Sequence, residues 1–337
     1  MALKDVLTDP LGFGTAPLGN MFRDIPEDEA QATVEAAWNH GIRYFDTAPL
    51  YGAGLAEIRL GRALQGRARE DYVISTKVGR IVLDEVEDVD KRDLGEKGDV
   101  FRYGLPNKVV NDYSEDATLR SIEDSLRRLG VDTIDIAWVH DVAQDFYGDE
   151  WLAMFESART GAFRALDRLR DEGVIKAWGL GVNRVEPIEL LLELDAPRPD
   201  GFLLAGRYSL LDHAKALQRV MPTVQREGLG IVVGGPYSSG ALVGGRHFEY
   251  APASAEILHK VARIRAIADA HGIGMKAAGL QFCLAHPAVV AVIPGASHPG
   301  RIADDKDALR EQVPRSFWLE LREQRLVDPG APLPGDD

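Results

Sequence analysis

A chain of 337 residues with 45% hydrophobic content is long for one ordinary domain and normal for one α/β barrel, and it carries ample material for a sizeable core. Its formal net charge of −14, with Lys and Arg scattered along the chain, argues against nucleic acid and anionic membrane surfaces as partners. The lone Cys283 leaves no internal disulfide and, with only His286 nearby in sequence, no metal site; with no run of about 18 apolar residues and no apolar leader, a cytoplasmic protein is expected.

Apolar runs then alternate with amphipathic stretches, and no Pro/Ser linker divides them. "LGFGTAP" leads into a helix over "IPEDEAQATVEAAWNHG", with Pro26 at its start and Gly41 at its end. "IRYFDTA" leads to "LAEIRLGRALQG", and "YVISTKV" to a long connection. "SEDATLRSIEDSLRRLG" opens on Ser114 as an imperfect capping box, with Ala117 where Glu would complete it. "TIDIAWVH", "IKAWGLGVN", "GFLLAGRYS" and "GIVVGG" are further strands. The helices "GAFRALDRLRDEG", "PIELLLELD" and "HAKALQRVMPTVQREG" fall between them. Helices over "SAEILHKVARIRAIADAHG" and "KAAGLQFCLAH" precede the last strand, "AVIPGA".

Eight apolar runs, each followed by helix and unbroken by polar alternation, predict a parallel sheet covered on both faces. Eight such units favour an α/β (β/α)8 TIM barrel, a single domain over 1–337, above a doubly wound sheet. The latter would want a G-x-G-x-x-G turn opening a helix, and "GFGTAPLG" opens none. The inserted loop at 81–113, after strand three, shows no helical or strand period and many charges. A connection of that length is either functional or disordered. Its "VFRYG" makes Phe101 and Tyr103 candidate substrate contacts within a lid.

In a (β/α)8 barrel the strand C-termini converge on one mouth. Asp46 and Tyr51 follow the second predicted strand, Lys77 ends the third and His140 ends the fourth. A phenol of pKa near ~10 needs help to exchange a proton at neutral pH. A nearby ammonium lowers that value, a carboxylate holds the ammonium in place, and a histidine orients a substrate oxygen. Singly, each residue has a structural explanation as a turn cap, a solvated cation, a satisfied buried ring or rim packing. Four at successive strand ends make an acid–base site without a metal or a covalent nucleophile. Asp141, next to His140, is a further candidate for the substrate.

"FDTAPLYGAGLAEIRLGRAL", "VISTKVGR", "DIAWVHD" and "VIPGASHPGRI" resemble the aldo-keto reductase superfamily across essentially the whole chain. "DYSEDATLRSIEDSLRRLGVDTIDIAWVHD", "LLAGRYSLLD" and "GLQFCLAHPAVVAVIPGA" are similar to its aldose 1-dehydrogenase branch. The branch includes L-fucose (D-threo-aldose) dehydrogenases and lies near pyridoxal 4-dehydrogenases and L-galactose dehydrogenases. The resemblance implies the tetrad Asp46, Tyr51, Lys77 and His140, with Tyr51 as acid–base residue. It also implies an extended nicotinamide cofactor and a cyclic hemiacetal substrate oxidised to a lactone.

The Gly-rich "VVGGPYSSGALVGG" places Gly235, Tyr237, Ser238, Gly240 and Leu242 at the implied pyrophosphate, with Tyr237 offered for stacking on the nicotinamide. Asn183 is assigned to the carboxamide, although the usual Ser-Asn is displaced and Ala205 replaces a common Gln. "IPGASHPGRIADD" supplies Gly295, Ser297, Arg301 and Asp305 for the adenosine end. Gly295, where many NADPH-dependent members have Lys, and Asp305, a carboxylate suited to hydroxyls, favour NAD; Arg301 keeps NADP open. Expected partners are a small-molecule substrate only, with the protein a monomer or small homo-oligomer. A regulatory, channel-subunit-like role is disfavoured by the complete tetrad.

Overall fold

The structure, a computed structural model, describes residues 2–88 and 98–336. Its strands in chain order are β1 (Phe13–Gly14), β2 (Tyr44–Asp46), β3 (Val73–Val78), β4 (Arg80–Val86), β5 (Asn107–Asn111) and β6 (Ile136–His140), then β7 (Ala177–Val182), β8 (Gly201–Ala205), β9 (Gly230–Gly234), β10 (His247–Phe248), β11 (Ala251–Pro252) and β12 (Val289–Ile293). Eight of them form one parallel sheet in the order β1-β2-β3-β6-β7-β8-β9-β12. Parallel bridges Leu11 to Val292 and Gly14 to Gly295 join the last strand to the first, and the Gly12 N–H donates to Val292 O at 2.9 Å. The result is a (β/α)8 barrel.

The strands are apolar on both faces because both are buried. Tyr44, Ile136, Trp138, Ala177, Leu203 and Val232 fill the barrel interior. Their neighbours Phe45, Ala137, Val139, Trp178, Phe202, Leu204 and Val233 pack outward beneath the helices. The two-residue strand period then carries the interior register of Tyr44 on to Asp46, and that of Ile136 and Trp138 on to His140. Polar groups at the last inward position of each strand therefore meet at one mouth. At the opposite end the helix Leu3–Val6 plugs the floor. A Cβ on Gly201 would stand 2.6 Å from Leu3 Cδ2, so only glycine admits that plug.

Helix ends follow the predicted chemistry. Ser114 Oγ accepts from the Ala117 N–H at 3.3 Å, and Ser254 Oγ from Ile257 at 3.3 Å. Three expectations are corrected. The stretch 81–113 contains regular structure: β4 pairs with β5 as an antiparallel hairpin, and a 3-10 turn covers Gly98–Phe101. Alternating charges hid a strand whose Ile81 is buried while Asp84–Val86 face solvent. The remainder of the predicted lid, 89–97, lies outside the described residues. The helix over "HAKALQRVMPTVQREG" is broken into Ala214–Gln218 and Val220–Arg226, since Pro222 lacks the N–H a continuous helix requires there. Short helices at Gln144–Tyr147 and Trp151–Thr160 were not foreseen. No helix of the described residues is long and apolar enough to cross a membrane.

Candidate active site

The four strand-end residues assemble as their register dictates. Lys77 Nζ donates to Asp46 Oδ2 at 2.7 Å and to Thr47 O at 2.8 Å, with both side chains buried. Ser75 Oγ donates to Asp46 Oδ1 at 2.6 Å, and Tyr44 OH lies 3.0 Å from Ser75 Oγ. The carboxylate is thus held from two sides, with Tyr44 backing Ser75. The ammonium stands 4.7 Å from the Tyr51 ring centroid, and the His140 ring meets the Tyr51 ring edge-on at 6.0 Å. His140 is fixed through its own carbonyl, which accepts from Tyr113 OH at 2.6 Å. Its Nε2 lies 3.3 Å from Asp141 Oδ2, and Nδ1 has no partner. Asp141 itself has φ +53, a left-handed conformation held by its N–H on Gly181 O at 2.9 Å.

Burial sets the electrostatics. It raises the Tyr51 phenol well above its ordinary value, and the charges of Asp46 and Asp141 add to it. This reverses the direction expected from the lysine alone, because desolvation outweighs an ammonium already paired to Asp46. His140 is held well below the ordinary imidazole range by burial first, then by Lys77 and Arg80, so it is neutral. A neutral imidazole and a protonated phenol are both hydrogen-bond donors, and here their rings meet edge-on at 6.0 Å.

Three loops close over this mouth. Phe101 stacks on Tyr51 at 5.5 Å with planes 29° apart. Tyr103 does not join it. Its side chain is 51% exposed, and only its carbonyl is engaged, by Asn20 Nδ2 at 2.8 Å. From the other side comes the hairpin of β10 and β11, with Phe22 stacked on His247 at 4.8 Å. Its two turn residues, Glu249 (φ +51) and Tyr250 (φ +67), are both left-handed without being glycine. Glu249 pairs with Arg207, and the Tyr250 N–H donates to Ser239 Oγ at 3.2 Å. Beneath the hairpin runs a cleft lined by Asn183, Gly206, Gly235, Ser238, Phe248 and Tyr250.

Of the residues the resemblance implies for a nicotinamide cofactor, Asn183, Gly235 and Ser238 line this cleft. A Cβ on Gly235 would meet nothing nearer than 3.9 Å, so its backbone is open to approach. Thr15 Oγ1 and Thr47 Oγ1, at the ends of β1 and β2, are buried without partners. Ser238 Oγ, 2.9 Å from Ser209 Oγ, lies in the same wall. Gly240 adopts φ +93 beside the cleft. Other predicted contacts lie elsewhere. Tyr237 turns into the core, where Gly279 leaves room for its ring, and its hydroxyl donates to Asp305 Oδ1 at 2.7 Å. Asp305 is 2% exposed and also paired to Lys276 at 2.9 Å, so neither a ring face nor a free carboxylate is offered to a ligand. Leu242 is fully buried. Gly295 is exposed beside the barrel closure, where a Cβ would press Pro17 at 3.1 Å. Ser297 O accepts from Arg23 at 3.1 Å, and Arg301 is exposed. Thr15, Thr47, Arg80, Arg207 and Tyr250 were not foreseen; the signal for the last was a turn, "FEYA", with no glycine.

The barrel brings Asp46, Tyr51, Lys77 and His140 together at one mouth, the arrangement the sequence resemblance implies. Residues 10–324 match the aldo/keto reductase family, and the chain belongs to it. The chain is 39% identical over 331 residues to a pyridoxal 4-dehydrogenase of Microbacterium luteolum, covering 94% of each. It is 35% identical over 325 residues to a D-threo-aldose 1-dehydrogenase of a Pseudomonas species, again covering 94% of each. A holo aldo-keto reductase structure from Bacillus halodurans superposes with a TM-score of 0.66 at 26% identity, covering 95% of this chain and 92% of that one. Aldo-keto reductases generally use NAD(P)H.

Proposed function

We propose that this enzyme oxidises the anomeric carbon of a cyclic hemiacetal aldose, of the L-fucose or D-threo-aldose type, to the lactone. The observation that carries this reading is the Tyr51 phenol set between the Lys77 ammonium at 4.7 Å and the neutral His140 ring at 6.0 Å. Asn183, Gly235, Ser238, Thr15 and Thr47 would hold the cofactor. That group would supply the hydride acceptor and, in its oxidised form, positive charge beside the site. Tyr51, as the phenolate, takes the proton from the anomeric hydroxyl as the C–O bond becomes a carbonyl, and ends as the neutral phenol. Lys77 opposes the cost of forming that phenolate beforehand, and Asp46 holds Lys77 in place. His140 Nε2 donates to the reacting oxygen and fixes its position. In the reverse direction the same phenol, kept protonated by burial, is the acid.

NAD is the favoured cofactor, because Gly295 offers no cation to a 2′-phosphate and Pro17 leaves little room for a longer side chain. Asp305 no longer bears on the choice, being paired inside the fold. A second reading, pyridoxal oxidised to its lactone, is favoured by the likeness to the Microbacterium enzyme and by the flat wall that Phe101 adds beside Tyr51. The test is a panel of free aldoses and pyridoxal, each with NAD and with NADP, followed by the absorbance of the reduced cofactor. Turnover of L-fucose-type sugars with NAD supports the first reading. Turnover of pyridoxal alone selects the second, and higher kcat/KM with NADP assigns Arg301 to the phosphate.

A further inference from the structure

Arg80 opens β4, three residues beyond Lys77, and its side chain is 8% exposed. Nη1 donates to Asn111 Oδ1 across the hairpin. Nη2 lies 3.8 Å from Asp141 Oδ2, an ion pair longer than a hydrogen bond, and neither Nη2 nor Nε has an acceptor. The rings of Phe146 and Tyr147 cover the guanidinium with centroids 4.9 and 5.4 Å away. They stabilise its charge, but a ring beneath the plane does not satisfy N–H groups that point along it. A buried guanidinium with idle donors is costly unless something else completes it.

Its surroundings indicate what completes it. The Asp141 oxygen nearest Arg80 is also the one 3.3 Å from His140 Nε2, the atom assigned to the reacting oxygen. A hydroxyl on the carbon next to the reacting one sits about one hydrogen-bond length from that oxygen. It therefore falls within reach of the carboxylate and of the guanidinium behind it. A charged donor beside a carboxylate suits an uncharged hydroxyl, which both donates and accepts, above a carboxylate or phosphate that Asp141 would repel.

We propose that Arg80, together with Asp141, binds the hydroxyl on the carbon adjacent to the reacting carbon of the sugar and selects aldoses that carry it. The guanidinium donates to that oxygen and Asp141 accepts its proton. This rests on the hemiacetal reading of the site. The test compares wild type, Arg80→Met and Arg80→Lys on an accepted aldose and its 2-deoxy analogue, with cofactor affinity measured separately by fluorescence quenching. Wild type should favour the parent sugar by about tenfold to a hundredfold in kcat/KM, the scale of one charged hydrogen bond. Arg80→Met should lose that advantage, chiefly as a higher KM for the parent sugar, slowing the parent far more than the 2-deoxy sugar and leaving cofactor affinity little changed. Arg80→Lys should fall between them. A wild-type ratio near one, equal slowing of both sugars in Arg80→Met, or undiminished discrimination in Arg80→Lys overturns the proposal; the last holds even if Arg80→Met does not fold. If wild type oxidises no aldose at all, the hemiacetal reading itself fails and this assignment with it.

Discussion

The proposed proton exchange puts Tyr51 to work at a position where burial holds its proton tightly. Its hydroxyl contributes chemistry and little shape, so Tyr51→Phe should reduce turnover by ~10²- to 10⁴-fold while cofactor affinity stays close to wild type. Steady-state kinetics beside a fluorescence titration of reduced cofactor check this; a mutant keeping wild-type kcat would remove Tyr51 from the proton transfer. At this scale the sequence was informative where strand register fixes direction. Asp46 and His140 end their strands and Lys77 stands one residue before the end of its own, all buried, where the two-residue period leaves one choice of side. Tyr237 and Asp305 show the opposite case. Their motif positions matched a cofactor site, but a loop side chain points where packing has space, and the space beside Gly279 lies in the core. The direction of the Tyr51 shift was missed for a related reason: residue identity gives the ammonium, while desolvation depends on the whole surroundings.

Among the elements, two hairpins flank the mouth, and the proposed function assigns them a share of the substrate selectivity. Phe101 touches Tyr51 and Tyr103 faces away, although they are two residues apart. Phe101→Ala should raise KM for the sugar about tenfold, or ~1.4 kcal/mol, with little change for cofactor. Tyr103→Ala should be silent; equal effects of the two would mean that the 3-10 turn acts as a unit. The β10–β11 turn holds Tyr250 in left-handed backbone beside the cleft. Loss of a half-buried tyrosine ordinarily lowers stability, but Tyr250→Gly removes that strain and should leave stability unchanged or raise it by up to about 1 kcal/mol. KM should rise at the same time. A clear fall in Tm would show that the turn is not strained. Neither hairpin was legible in the sequence. The first is masked by charge alternation on its solvent side, and the second by the lack of any Asn-Gly or Gly signal at its turn.

Across the whole molecule, three buried imidazoles tie stability to pH. His213 donates through Nδ1 to Ser209 O at 2.8 Å and accepts at Nε2 from the Asp328 N–H at 3.0 Å, which fixes it as neutral. His286 accepts at Nδ1 from the Ala288 N–H at 3.1 Å. Burial pushes His213 and His286 down to about 4, and His140 is lowered as well. Between pH ~6.5 and ~4 the unfolded chain binds protons at these rings that the fold refuses. Stability is therefore full above ~6.5 and falls as pH drops toward 4, by on the order of 3 kcal/mol for each of His213 and His286, with His140 acting in the same direction. Thermal unfolding followed from pH 8 to 4 checks the sign, and a level Tm from 7 to 4.5 would contradict it.

The ring itself is unevenly sewn. β6 and β7 share five registered pairs and β8 and β9 another five, whereas β1 meets β2 through two and β12 through two isolated bridges. In hydrogen–deuterium exchange the amides of Gly12 and Gly14 should therefore lose protection before those of β7 and β8, as the barrel parts along that seam. Gly295, in the segment proposed for the adenosine end of the cofactor, lies on the same seam through its bridge to Gly14. A dinucleotide bound there would act as a clasp, and its addition should slow exchange at Gly12 and Gly14 more than anywhere else in the sheet.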